Sequence, residues 1–144
     1  MERTNEMSIE FDSRSCNEGF ARVSVAAFCT QLNPTLEEVA DVKTAVSEAI
    51  TNAIIHGYEN QVHKIRIECK AAGHELYLTV IDKGKGIADI KKAMEPLFTT
   101  RPEWNRSGMG FAFMDEVVVV SELGCGTEVH MKKTIGRKSH EFPE

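Results

Sequence analysis

Glu48 and Asn52 stand four residues apart in a segment whose apolar residues recur with helical period, so one helix face carries both. A carboxylate there can take a proton or orient a hydroxyl, and an amide oxygen can serve Mg²⁺ as a neutral ligand. Glu37, Asp41 and Thr44 fall on the same face, and a solvated polar stripe accounts for the pair when it is taken alone. Asp82-Lys83-Gly84-Lys85-Gly86 follows directly on a strand-like run. Its glycines allow a tight turn and close backbone approach to a ligand. A buried aspartate at a strand end can accept from the exocyclic amine of adenine and would repel the oxygen that guanine presents there. An ordinary turn also explains D-x-G-x-G in isolation.

Ser107-Gly108-Met109-Gly110-Phe111 joins an aperiodic stretch to an apolar one. Small residues opening a helix leave free N–H groups suited to phosphate; a plain glycine-rich joint is the alternative. The stretch does not fit G-x-x-x-x-G-K-[ST], and the H-R-D and D-F-G signatures of eukaryotic-type kinases are missing. Gly126-Thr127 opens the last strand, where a hydroxyl could reach a base through water or simply close a hairpin.

These residues need elements to position them. Met7, Ile9 and Phe11 alternate with polar residues and read as a strand. Ser15-Cys16-Asn17-Glu18 reads as a capping box opening a helix that runs to about Leu32 and is ended by Pro34. Its packed face is expected at Phe20, Val23 and Ala27. Thr35-Leu36-Glu37-Glu38 is a second capping box, followed by an apolar stripe at Val42, Val46, Ala49, Ile50, Ala53 and Ile54 up to a stop at Gly57. Ile65, Ile67 and Cys69, then Leu76, Leu78 and Val80, predict a hairpin about Gly73. A short helix is expected near Asp89–Met94 and a loop over Glu95–Ser107. Val117–Ser121 and Thr127–Lys133 predict a second hairpin about Gly124-Cys125-Gly126, and the tail from Thr134 reads as frayed. This order suggests an α+β chain, a two-layer sandwich with helices on one face of a mixed, mainly antiparallel sheet.

Composition narrows the function. The 144 residues suit one domain, read as 1–144 with 134–144 a polar tail. A net charge of -5 argues against duplex DNA, whose binders normally show a basic face, so no direct nucleic-acid contact is expected. No apolar run approaches the roughly 20 residues of a membrane span. Met1–Ser8 is polar, without a secretory leader, so a cytoplasmic chain is expected. The cysteines Cys16, Cys29, Cys69 and Cys125 form no CxxC pair, which argues against a zinc site.

The set is more specific than its parts. Glu48-x-x-x-Asn52, Asp82-x-Gly84-x-Gly86, a loop, Gly108-x-Gly110 and Gly126-Thr127 occur in the order of the N, G1 and G2 boxes of the Bergerat-fold (GHKL) ATPases, which this chain resembles. Within that class, Val46-Ser47-Glu48-Ala49-Ile50-Thr51-Asn52-Ala53-Ile54-Ile55-His56-Gly57-Tyr58 resembles the N box of the anti-sigma F factor family, serine kinases of spore-forming bacteria. Pro96-Leu97-Phe98-Thr99-Thr100-Arg101-Pro102-Glu103 resembles that family's ATP lid, Arg106-Ser107-Gly108-Met109-Gly110-Phe111 its G2 box, and Phe20-Ala21-Arg22-Val23 its first helix.

The resemblance implies a Bergerat fold and a kinase working with ATP and Mg²⁺. Glu48 would be the catalytic base and Asn52 the Mg²⁺ ligand. Asp82 would read adenine, with Gly84, Gly86 and Thr127 around it. Thr99, Thr100, Arg106, Ser107, Gly108, Met109 and Gly110 would enclose the phosphates, and Arg22 would meet protein partners. It implies a homodimer that sequesters a sigma factor and phosphorylates a serine of an anti-anti-sigma protein. The general-stress switch kinases share the mechanism, and a nucleotide-gated binding module with little turnover is the rival of another class. One departure bears on that rival. Phe111-Ala112-Phe113-Met114-Asp115-Glu116 reaches the next strand about one helical turn, roughly four residues, sooner than the family does.

Overall fold

The computed structural model describes residues 4–85 and 110–136. Strand β1 (Thr4–Asp12) leads through a 3₁₀ turn (Ser15–Asn17) into helix α1 (Glu18–Cys29). Helix α2 (Leu36–Asn52) follows and continues as a π-helical turn, Ala53–Gly57. Then come β2 (Lys64–Ala72), β3 (Glu75–Asp82), β4 (Glu116–Glu122) and β5 (Gly126–Thr134). The strands form one sheet in the order β1-β2-β3-β5-β4, and all four pairings are antiparallel.

Strict alternation puts one face of this sheet under the helices. Ile65, Ile67 and Cys69 of β2 and Leu76, Leu78 and Val80 of β3 are buried, as are Val129 and Met131 of β5. Against them lie Val42, Ala45, Val46, Ala49 and Ile50 of α2, together with Ala21, Val25 and Cys29 of α1, in one apolar cluster. The expected α+β two-layer architecture is therefore present, with both helices on one face. Burying one Val or Ile side chain is worth about 1.5–3 kcal/mol. The α2 stripe thus fixes which way the opposite face, with Glu48 and Asn52, must turn.

Helix α2 starts where its sequence says it should. Thr35 Oγ1 accepts from the Glu38 backbone N–H at 3.0 Å, and Glu38 Oε1 accepts from the Thr35 N–H at 2.9 Å. The same Glu38 oxygen accepts from the Gly136 N–H at 3.0 Å, tying the cap to the chain after β5. Ile135 is fully buried and its N–H reaches His74 O at 2.7 Å, so the chain is not frayed from Thr134 but packed through Gly136.

Helix α1 differs from expectation at both ends and around its circumference. No Ser15 capping box forms. Asn17 Nδ2 turns back to Asp12 O at 2.9 Å, the first turn winds as 3₁₀, and Asn17 becomes the N-cap position of the α-helix. The chain leaves a 3₁₀ turn (Thr30–Leu32) through Asn33, in the left-handed region at φ 55°, just before Pro34. The buried stripe is Ala21, Val25 and Cys29. Phe20 and Val23 are 57% and 62% exposed, and Ala27 is exposed as well. The buried positions of α1 hold small or medium side chains in the cluster shared with α2, which ranking residues by hydrophobicity misses. The short helix and loop expected over residues 89–107 lie outside the described residues.

Candidate functional site

The sheet register sets one end of the site. Asp82, the last residue of β3, pairs with Thr127 at the start of β5. Both are 7% exposed. The Asp82 carboxylate accepts the Gly84 N–H at 2.8 Å and also a bond from the Thr127 backbone. Burial pushes this carboxyl above the ordinary aspartate range, and the two backbone bonds pull it part of the way back. Thr127 Oγ1 lies 2.7 Å from Ser121 Oγ on β4.

The end of α2 presses on this turn. The Lys85 N–H donates to Gly57 O at 3.0 Å. A Cβ built on Gly84 would stand 2.2 Å from that same Gly57 O, and one on Gly57 would stand 2.9 Å from Asp82 Oδ1. Only glycine fits at position 84, and a side chain at 57 would press on the Asp82 carboxylate. Tyr58, next in the chain and 5% exposed, donates its hydroxyl proton to Lys64 O and accepts the Lys83 N–H at 2.7 Å. Burial pushes the Tyr58 hydroxyl above its usual value, which keeps that proton in place. π-Helical turns are rare and recur at functional sites; this one carries the chain from Asn52 to the turn that bears Asp82.

Glu48 and Asn52 lie on the last turns of α2 before the winding changes. Glu37 and Thr44, earlier on the helix, are exposed as a solvated stripe should be. Glu48 and Asn52 are not so open. Asn52 Oδ1 is buried and has no hydrogen-bond partner among the described residues. A buried amide oxygen left this way is costly unless a ligand completes it. A neutral, hard oxygen of this kind suits Mg²⁺, so the residue present fits the ion. Gly110 lies against the Glu48 side chain, which brings the last glycine of the second motif onto the α2 face.

Arg22 stands one step away. Its Nη1 donates to Glu18 Oε2 at 2.7 Å and to Ser47 Oγ at 3.1 Å, while Thr51 Oγ1 lies 3.4 Å from Glu18 Oε1. Arg22 and Glu18 thus bridge α1 to Ser47 and Thr51, the α2 residues that adjoin Glu48 and Asn52. Glu48, Asn52, Asp82, Gly84, Gly110 and Thr127 take up two contiguous groups along the end of α2 and the β3–β5 edge. Gly86, Thr99, Thr100, Arg106, Ser107, Gly108 and Met109 lie outside the described residues. Tyr58, Gly57 and Ser121 do not stand out as site residues in the sequence. Tyr58 and Ser121 act through backbone and cross-strand partners that no spacing reveals.

The family of histidine kinase-like ATPase domains matches residues 13–133. Curated relatives cover nearly the whole chain. The anti-sigma F factor of Thermoanaerobacter sp. (strain X514) is 59% identical over 94% of this chain and 98% of its own. The anti-sigma F factor of Clostridium kluyveri is 57% identical over the same shares. The chain belongs to the histidine kinase-like ATPase family, and within it to the anti-sigma F factors. Among solved structures, the RsbU and RsbW domains of Rv1364c from Mycobacterium tuberculosis superpose with a TM-score of 0.67 at 22% identity, over 91% of this chain and 32% of that one. That likeness carries the fold, and this anti-sigma F family member spans about a third of that longer chain. No described helix is long and apolar enough to cross a membrane.

Proposed function

We propose that this chain is an ATP-dependent anti-sigma factor that sequesters a sporulation sigma factor and phosphorylates a serine of an anti-anti-sigma protein. The observation that carries the reading is the buried Asn52 Oδ1, without a hydrogen-bond partner among the described residues and one turn from Glu48, with the buried Asp82 carboxylate at the end of β3. Its 57–59% identity to anti-sigma F factors supports the sigma partner.

Phosphoryl transfer asks mainly for positioning and charge neutralisation. Asp82 accepts from the exocyclic amine of adenine, and Thr127, Gly84 and Gly86 shape the space around the base. Asn52 holds Mg²⁺, which when bound neutralises charge on the phosphates. Thr99, Thr100, Arg106, Ser107, Gly108, Met109 and Gly110 enclose those phosphates. The γ-phosphoryl group passes to the serine Oγ of the partner, Glu48 takes the hydroxyl proton, and ADP leaves. Arg22 contacts the protein partners, and the chain works as a cytoplasmic homodimer.

Transfer of radiolabelled phosphate from ATP to the cognate anti-anti-sigma protein tests the reading, and absence of transfer would overturn the kinase half of it. A specific observation favours a second reading, nucleotide-gated sigma binding with little turnover. Where a helix backs the phosphate site in the family, residues 110–113 form only a turn, and β4 begins at Glu116. Sigma binding that responds to nucleotide without phosphate transfer would select it.

A further inference from the structure

The hydroxyl of Tyr58 sits between two backbone groups that no secondary structure pairs with each other. It donates to Lys64 O at the start of β2 and accepts the Lys83 N–H just past the end of β3. A phenol has one proton to give. Because Lys83 N–H points into the oxygen, that proton is committed to Lys64, and both roles of the hydroxyl are filled. Lys83 follows Asp82 directly, and the next backbone N–H, that of Gly84, bonds the Asp82 carboxylate. One residue further, the Lys85 N–H bonds Gly57 O, next to Tyr58 in the chain. The turn that aims the carboxylate is therefore held at two points, Lys83 by Tyr58 and Lys85 by Gly57, where the π-helical turn ends. Gly84 brings this turn directly against Gly57, whose O would stand 2.2 Å from a Cβ built on the glycine.

We infer that Tyr58 is a positioning residue for nucleotide-base selection, its hydroxyl fixing the Asp82 turn so that the carboxylate meets an amine and refuses a carbonyl oxygen. This rests on the reading of Asp82 as the adenine acceptor. The ring of Tyr58 also packs in the core, but the hydroxyl's two bonds are separable from that packing, since phenylalanine keeps the ring. A loosened turn can let Asp82 swing aside. GTP then suffers less repulsion and ATP gains less from its amine, so the affinity ratio falls even if overall stability changes little.

The test uses the full chain and calorimetric titration with ATP and GTP. It compares the wild type with Tyr58→Phe, Asp82→Asn and the double variant. Tyr58→Phe is expected to lower the ATP-over-GTP affinity ratio about five- to tenfold, the size of one hydrogen bond's net effect. In the Asp82→Asn background the same substitution should leave the ratio unchanged. A ratio unaltered by Tyr58→Phe, where Asp82→Asn abolishes selectivity, would overturn the inference and spare the adenine reading. Selectivity that survives Asp82→Asn would remove the adenine reading and this inference with it. Amide exchange in the wild type gives a check independent of any variant. The Lys83 N–H should be strongly protected, and exchange at the free-chain rate would show that the bond is not kept in solution.

Discussion

Gly110 lies against Glu48 so closely that a Cβ built on the glycine would stand 2.5 Å from Glu48 Cβ and 2.7 Å from its Oε1. Contacts under 3.0 Å to another residue's Cβ force something to move, and the nearest atom here belongs to the short stem of the side chain rather than to a flexible tip. Gly110→Ala should therefore displace Glu48. A misplacement of about 1 Å at a reacting group can cost on the order of 100-fold in rate. Partner phosphorylation should fall by about that factor while sigma binding is kept. A rate within twofold of wild type would show that Glu48 has no fixed place to lose.

Glu48 and Asn52 should fail differently. Glu48→Gln keeps size and polarity and removes the base, and general-base assistance is typically worth about 10²–10⁴-fold. Nucleotide binding should survive and phosphate transfer should not. Asn52→Ala removes the buried Oδ1 and should abolish the Mg²⁺ dependence of ATP affinity. Calorimetry with and without Mg²⁺ separates the two, and identical profiles would return both residues to the polar stripe of Glu37 and Thr44.

Asp82 gives a pH dependence of definite sign. Burial raises its pKa in the folded chain. Between the ordinary aspartate value near 3.9 and that raised value the folded state holds more protons than the unfolded one. Stability therefore falls as pH rises through the window. Adenine binding runs the other way, because the accepting carboxylate is complete only above the raised value. The ADP-over-GDP affinity ratio, in which phosphate titration cancels, should climb with pH through this window in the wild type and stay flat in Asp82→Asn. A flat wild-type ratio would refute the role of the charge.

Lys133 on β5 is 8% exposed, and its Nζ donates to Phe113 O at 2.6 Å and lies 3.6 Å from Asp41 Oδ2 on α2. It anchors the turn after Gly110 to both layers. Lys133→Met keeps the apolar stem and strands a carbonyl and a carboxylate. The cost should be about 1–3 kcal/mol, read as a lower urea midpoint. Asp41→Asn combined with it should cost less than the sum of the two. An unchanged midpoint would show that water serves Phe113 O as well as the lysine does.

The elements that were legible in the sequence are those whose signal is local. Thr35 and Glu38 announce their cap in four residues, and Gly73 and Gly124-Cys125-Gly126 mark turns between alternating runs. Ser15 carried the same kind of signal and lost, because Asn17 found Asp12 O across the entering turn. Site residues with charge or amide groups stood out by type: Glu48, Asn52 and Asp82. Tyr58 did not, since a tyrosine after His56-Gly57 looks like any core aromatic until β2 and the end of β3 are folded up to its oxygen. On α1 the buried stripe escapes the sequence pattern because Ala21 and Cys29 are weaker hydrophobic markers than Phe20 and Val23, although Ala21 and Cys29 are the residues that are covered.

The β1–β2 pairing also sets a schedule for the growing chain. Asp12 must wait for Lys64, and Thr4 for Ala72, with both helices in between. At about 5–20 residues per second on the ribosome, that wait lasts on the order of seconds, during which Ile9 and Phe11 have no sheet to cover them. The β2–β3 and β4–β5 hairpins need only their own turns and can close in about 1–10 μs once synthesised. Strand β1 thus waits longest for its first partner, and substitutions in β1 should slow folding less than equal losses of stability in the β2–β3 hairpin.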